Sequence, residues 1–397
     1  MSNKTRDYGH LRVTLTSNYG WNYDDTGSRV SRSVMMWTPV AQGNMRPLGS
    51  VAIGSGFYEL GGKRASLLVG NSSQSSSAVA SPVGWRWLWN TKGGKGKHDS
   101  TVWRPIAPSG YVALGDVVKY HWDEPDKNSI WCLRADLVGN GTFASSDIWN
   151  DRGSGGSYDI SCWAVLPRDV GTSGSELIPT SADTFRFSGT YSQPDISLAQ
   201  VPVLRLPKAF QRFTSSLPQV TPSTIPSEGD IFSEMEQCRA TLPFTTFFDP
   251  TSRQVLDNLG DPFCTVIKSI AWDVQGVWVN NSGASYDRTQ TIKYGVSREK
   301  REEMVNSVGV EITAEAGIKA VSYSVSLNYQ FTYSTSSSFT EYSEKQVEEK
   351  LSIPAHEAVV LFTKHLWVTG QRADGSQLSR IEVVANDDVH FGGCKLN

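Results

Sequence analysis

The chain has 397 residues with 37 basic and 40 acidic side chains, and its net charge of −3 excludes a phosphate-seeking surface over the whole molecule. Only 19% of residues are charged, against ~25% in an average soluble protein, so Ser, Gly, Asn and Thr cover the surface and long charged helical faces are not expected. Met1 to Thr14 lacks an apolar signal core and no run reaches the ~18 apolar residues of a spanning helix, so a protein made soluble without a classical signal peptide is expected.

Ten of the thirteen tryptophans precede residue 164, and their placement is periodic. Three segments of equal length open and close on an aromatic residue: Tyr23-DDTGSRVSRSVMM-Trp37, Trp89-NTKGGKGKHDSTV-Trp103 and Trp149-NDRGSGGSYDISC-Trp163. Each interior is rich in Gly, Ser, Asp or Lys, the composition of a hairpin turn where positive φ is cheap. The first two copies extend further in register: Trp37-TPVAQGNMRPLGSV and Trp103-RPIAPSGYVALGDV share Trp-x-Pro and a Leu-Gly-x-Val ending at Val51 and Val117. The third copy, Trp163-AVLPRDV, lacks both, and a sheet that is shorter or serves a boundary is expected there. Three such units predict a pseudo-threefold arrangement of hairpins with tryptophans in the shared core. Trp85 and Trp87, in the run Trp85-Arg-Trp-Leu-Trp89, are the receptor-binding candidates, read as aromatics at loop tips. The segment Trp103 to Val117 resembles the signature of the vacuolar-protein-sorting sixty-two domain family. That resemblance covers roughly residues 10–205 and implies a β-prism-like recognition module.

Between Gln200 and Pro226 five prolines crowd (Pro202, Pro207, Pro218, Pro222 and Pro226). Proline removes a ladder donor and restrains its predecessor, so this stretch is predicted to be extended and largely unpaired. Five widely spaced cysteines, with no CxxC pair, read as buried free thiols.

From Val308 apolar residues alternate with Gly309, Glu311, Thr313, Glu315, Gly317 and Lys319, and after Ala320 the alternation restarts at Val321 and runs to Tyr333. The opposite face of the second run is Ser322, Ser324, Ser326, Asn328, Gln330 and Thr332. Strict alternation predicts two strands, each with one apolar and one polar face. Both runs exceed a typical ~5–6-residue strand and suit the ~9–11 residues of a membrane β-strand. The small, uncharged polar face of the second also lacks the Lys or Glu that protects a wet edge. A Ser/Thr-rich run, Thr332–Thr340, then leads to an apolar strand broken at Ile353-Pro354.

This order of parts resembles the aerolysin-type pore-forming toxins, including epsilon-toxin and mosquitocidal-toxin relatives. The resemblance implies a soluble monomer that binds a cell surface, assembles in a ring and contributes one hairpin to a shared β-barrel. On that reading Val308, Val310, Ile312, Ala314, Ala316, Ile318, Val321, Tyr323, Val325, Leu327 and Tyr329 face lipid. Glu311, Thr313, Glu315, Lys319, Ser322, Ser324, Ser326 and Asn328 face the lumen, with the tip at Gly317 to Ala320.

The expected fold is all-β: a pseudo-threefold β-prism-like domain over 1–205, a Pro-rich connector over 206–243, and an elongated aerolysin-like β-sheet pore-forming module over 244–397 with its insertion hairpin at about 305–335. The expected partners are a target-cell membrane, a surface receptor (glycan, lipid or protein) and further copies of the chain, with no nucleic acid, cofactor or metal. No GxSxG elbow occurs, and His356-Glu-Ala-Val-Val lacks the second histidine of a zincin, so no enzyme is expected. The competing reading is a lectin-like carbohydrate or lipid binder that forms no pore.

Overall fold

The structure, a computed structural model, describes residues 3–168, 177–206, 216–313, 317–327 and 345–396. Strands make up 50% of the chain and helices 7%, so the all-β class read from the sequence holds. Cα packing divides the molecule into two compact units. One comprises Met1–Leu206, Pro243–Phe263 and Ser322–Val325, and the other Pro207–Leu242, Cys264–Val321 and Ser326–Asn397.

In the first unit the first two aromatic-bracketed repeats are three-stranded antiparallel sheets, and the third lies in a six-stranded sheet, so the shorter sheet expected there is not found. The first joins Tyr19–Asp24, Val34–Pro39 and Val51–Gly54, and the second Gly84–Asn90, Ser100–Ile106 and Val117–Tyr120. The third joins Trp149–Asn150, only two residues long, to Ser161–Pro167 and Phe185–Ser188, and its sheet continues from Ser161–Pro167 through Val138–Phe143 and Gln200–Arg205 to Leu177–Pro179. Trp37 stands opposite Val51, Trp103 opposite Val117 and Trp163 opposite Arg186, so the closing tryptophans hold matching places.

The three turns are built identically. The residue after each opening aromatic, Asp24, Asn90 or Asn150, accepts the backbone N–H of Thr26, Lys92 or Arg152 at 3.1, 3.1 and 3.2 Å. The next, Asp25, Thr91 or Asp151, accepts the N–H of Val34, Ser100 or Ile160, each at 3.0 Å. Gly27, Gly93 and Gly153 follow at φ 83°, 85° and 90°, a region that glycine enters without steric cost. Short side-chain acceptors thus fix each turn locally, and the sequence repeat becomes a repeat of hydrogen bonds. The opening aromatics Tyr23, Trp89 and Trp149 meet edge-to-face, with centroids 6.2 Å apart in both successive pairs, inside a core shared with Trp37, Phe185 and Phe187.

Two expectations fail here. The strand Gly84–Asn90 carries Trp85 and Trp87, so neither sits at a loop tip. Trp85 is buried against Val117 and Ile130, while Trp87 remains exposed and packs edge-on to Tyr158. The stretch from Gln200 is not unpaired at its start: Gln200–Arg205 is a strand between Val138–Phe143 and Leu177–Pro179. Pro202 forfeits only its own donor, and its carbonyl still accepts the N–H of Thr180 at 3.0 Å.

The second unit is organised on a long sheet in the order Ile231–Pro243, Phe263–Asn280, Glu357–Arg372, Gln377–Lys395, the last three strands running antiparallel. The first of these strands occupies the last third of the expected connector. A two-stranded ladder pairs Tyr286–Tyr294 with Lys345–Ile353. The unit also holds a helix, Arg298–Val308, against the expectation from low charge content. Ser297 caps it by accepting the Lys300 N–H at 3.3 Å, and Gly309 ends it at φ 72°. All five cysteines are free thiols: Cys132, Cys162, Cys238 and Cys264 are buried, and Cys394 is half-buried. Burial pushes the thiols of Cys132, Cys238 and Cys264 up to about 12, which keeps them protonated and unreactive. No helix among the described residues is long and apolar enough to cross a membrane.

Candidate functional site

The segment from Val308 to Leu327 carries the alternating pattern, and its local structure is shorter than its pattern. Val308 ends the helix and packs on Gly370 so closely that no β-carbon fits there. Val310–Thr313 then pairs antiparallel with Gly317–Ala320, Glu311 standing opposite Lys319 and Ile312 opposite Ile318. Gly317–Ala320, expected as a tip, is therefore the second strand of a small hairpin. Residues 321–324 form a turn, with Ser324 at φ 52°, and the strand resumes only as Val325–Ser326, which adds a third strand beside Gly317–Ala320. The Leu327 N–H donates to the Ile318 carbonyl at 2.8 Å, and that of Val321 to Gly309 at 2.9 Å.

Burial follows the alternation up to Ala320 and again at Val325 and Leu327, but not in the turn, where Val321, placed on the apolar face by the sequence, is exposed. Val308, Val310, Ile312, Ile318, Ala320, Val325 and Leu327 are buried. Glu311, Val321 and Ser324 are exposed, and Lys319, Ser322, Tyr323 and Ser326 lie in between. Thr313 ends its strand. Ala314, Glu315, Ala316, Asn328 and Tyr329 lie outside the described residues.

Ser322–Val325 belongs to the first unit. The Ser322 hydroxyl donates to the Phe247 carbonyl at 3.0 Å, and the Tyr323 hydroxyl shares a hydrogen bond with Ser181. Burial pushes the Tyr323 phenol up to about 12, with Asp183 and Asp249 adding to the effect. Beside it lies a buried ion pair. Arg64 Nε donates to Asp183 Oδ2 at 2.7 Å, its Nη2 bonds Asp183 Oδ1, and Ser66 donates to Oδ2 at 2.7 Å. No local motif marks this anchor. Ser181, Phe247 and Tyr323 are far apart in the chain and meet only in the fold.

A second polar constellation lies on the long sheet of the other unit. His365, buried, is held on both ring nitrogens: Nδ1 to Glu382 Oε1 at 2.5 Å and Nε2 to the Thr363 hydroxyl at 2.7 Å, with Asp273 Oδ1 3.9 Å from Nε2. The strands bulge at this level, between Val274 and Gly276 and between Thr363 and His365. The bond from His365 holds the Glu382 carboxyl below the usual range, and burial pushes Asp273 up. Asp273, His365 and Glu382 are the group of metal-capable side chains found among the described residues. Both imidazole nitrogens are thus engaged by neighbouring side chains.

Residues 58–222 match the family model described as vacuolar protein sorting-associated protein 62, a stretch that holds the second and third turn repeats. No curated protein matches the sequence. Two solved structures are similar in part. GNIP1Aa from Chromobacterium piscinae shares 22% identity at a TM-score of 0.38, over 47% of this chain and 35% of that one. Cry35Ab1 shares 11% identity at a TM-score of 0.35, over 80% of this chain and 89% of that one. The chain thus spans about a third of the length of the Chromobacterium protein. Neither likeness is close enough to carry residue roles across.

Proposed function

We propose that this all-β protein is a pore-forming toxin of the aerolysin type. It binds a receptor on a target cell from outside and assembles with its copies. Each copy then contributes the segment around Val308–Leu327, with the residues immediately C-terminal to it, to a shared transmembrane β-barrel. The observation that carries this reading is the mismatch between pattern and strand. The alternation is long enough for membrane strands, yet among the described residues it forms two four-residue strands, a turn at 321–324 and the two-residue strand Val325–Ser326. A segment whose polarity is written for a longer strand than it forms is suited to a second structure. A lone hairpin has unpaired edges that lipid does not tolerate, and closure among several protomers pairs them. In the barrel the buried Val310, Ile312, Ile318, Val325 and Leu327 exchange protein for lipid, and Glu311, Lys319, Ser322 and Ser326 line the lumen. The role is binding and assembly rather than catalysis.

A cross-link tests this. Glu311→Cys with Lys319→Cys, in a Cys394→Ser background, joins directly opposed positions of the present hairpin. The register inferred for the barrel, with its tip near Lys319, separates them. Oxidised protein is expected to bind susceptible cells without releasing dye, and reduction is expected to restore release. Release unaffected by oxidation sinks the rearrangement. The alternative is a lectin-like recognition protein. Cell binding with no dye release by the unmodified protein decides for it.

A further inference from the structure

The three turns of the first unit meet at one end of it, and we propose that this end docks on a bilayer surface rich in anionic phospholipid headgroups. Contacts between the turns show the convergence. The Lys97 N–H of the second turn donates to the Thr26 carbonyl of the first at 2.9 Å. A β-carbon on Gly93 of the second would stand 2.9 Å from the Ser157 hydroxyl of the third. Trp149 Nε1, which opens the third, donates to Asp25 Oδ2 of the first at 3.1 Å.

Charge is sorted by depth at this end. Arg29, Lys92, Lys95 and Lys97 are exposed and have no carboxylate partner among the described residues. Arg152, also exposed, lies over the Tyr191 ring at 4.5 Å from its centroid. Acidic residues of the same turns are mostly turned inward. Asp25 and Asp151 are buried and accept backbone N–H groups. Asp147 pairs with Arg32 at 2.8 Å, and Asp24 faces His98 at 3.7 Å. Asp99 and Asp159 are left as the exposed carboxylates of the three turns. A chain of net charge −3 thus presents a cationic tip, and clusters of ~4–8 Lys or Arg are the electrostatic complement of an anionic leaflet.

An aromatic pair beside the tip favours a bilayer over other polyanions. Trp87 and Tyr158 are 39% and 47% exposed and meet edge-on with centroids 4.9 Å apart. Trp89 Nε1 donates to the Tyr158 carbonyl at 3.0 Å and so ties the third turn to the second hairpin. Tryptophan and tyrosine settle at the headgroup level of membranes, where the ring leaves water and the polar atom keeps it. A sulfated polysaccharide would use the cations and leave these rings wet.

This inference names the surface chemistry for the pore-forming reading and rests on it for its biological use. Vesicle binding and dye release are measured separately: binding without release sinks the pore and spares the docking, and lysis of cells without vesicle binding does the reverse. The test is flotation of the whole chain with vesicles of phosphatidylcholine alone and of phosphatidylcholine and phosphatidylserine in equal parts. Binding is expected with phosphatidylserine alone of the two, and is expected to weaken as salt screens the exposed charges. Lys92→Gln with Lys95→Gln and Lys97→Gln, all at exposed positions without partners, is expected to weaken it about a hundredfold. Trp87→Ala is expected to weaken the binding that persists at high salt about tenfold. Equal binding to both vesicles, binding to neither, undiminished binding by either variant, or retention on heparin with no vesicle binding overturns the proposal.

Discussion

A β-carbon added to Gly49 would lie 2.8 Å from the Cα of Gly115, and one added to Gly115 would lie 2.8 Å from the Leu48 carbonyl. These glycines occupy the same place in the first two Leu-Gly-x-Val segments, where the inner strands meet. Next to them the Ser50 N–H donates to the Asp116 carbonyl at 2.9 Å, and the Asp116 N–H to that of Phe185 at 3.0 Å. The glycines are needed because backbone packs on backbone there and nothing soft yields. Gly49→Ala or Gly115→Ala is expected to cost about 1–3 kcal/mol. A lower urea midpoint at unchanged slope is the readout, and wild-type stability in both variants removes the close-approach explanation.

Asp116 is buried and receives Arg104 at 2.8 and 2.7 Å, Arg186 at 2.9 Å and the Phe187 N–H at 2.8 Å. Burial alone would raise its carboxyl, but the two guanidinium groups and the amide hold it below 3.8. A depressed folded value means that its contribution is complete above the unfolded value and is lost as pH falls through the folded one. Acid destabilisation beginning below about pH 4 is therefore expected, and Asp116→Ala should remove about 3–5 kcal/mol at neutral pH by stranding two arginines. Denaturant titrations from neutral pH downward check both. An acid slope that persists undiminished in the variant refutes the assignment.

The anchor at Tyr323 predicts a change confined to the alternating segment. Tyr323→Phe removes the bond to Ser181 and is expected to cost about 1 kcal/mol, read as roughly fivefold faster amide exchange across 317–327. Dye release should begin at lower protein concentration if leaving this anchor limits insertion. Exchange unchanged in that window shows that the phenol does not hold the segment.

Charge in the lumen sets ion preference. Glu311, exposed beside Lys319 in the present hairpin, and Glu315 share one side of the alternation. Glu311→Gln with Glu315→Gln is expected to move the reversal potential of pores in planar bilayers toward that of anions. An unchanged potential contradicts the inward placement of these residues.

The repeats were legible because their determinants are local. An aromatic, an Asp or Asn, a second acceptor and a glycine at fixed spacing define a turn without help from the rest of the chain. The helix Arg298–Val308 had equally local signals, Ser297 before it and Gly309 after it, but they were overshadowed by an alternation that includes Val308 itself. Trp85 and Trp87 sit two apart on one strand with opposite fates, one in the core and one exposed. Their register with Pro105 and Trp103 is regular, so both lie on one face of the strand, and what differs is the cover: Trp85 packs with Val117 and Ile130, and Trp87 meets Tyr158 edge-on.

Sequence by itself determined the all-β class, the threefold turn motif and, outside the turn at 321–324, which side chains of Val308–Leu327 seek apolar surroundings, because each follows from spacing and polarity along a few residues. Only the tertiary structure decided where that segment turns, that Tyr323 meets Ser181, that His365 lies between carboxylates from two other strands, and that Tyr23, Trp89 and Trp149 meet in one core. Those relationships join residues tens to hundreds of positions apart. Close packing selects among the many pairings that the local pattern allows equally well.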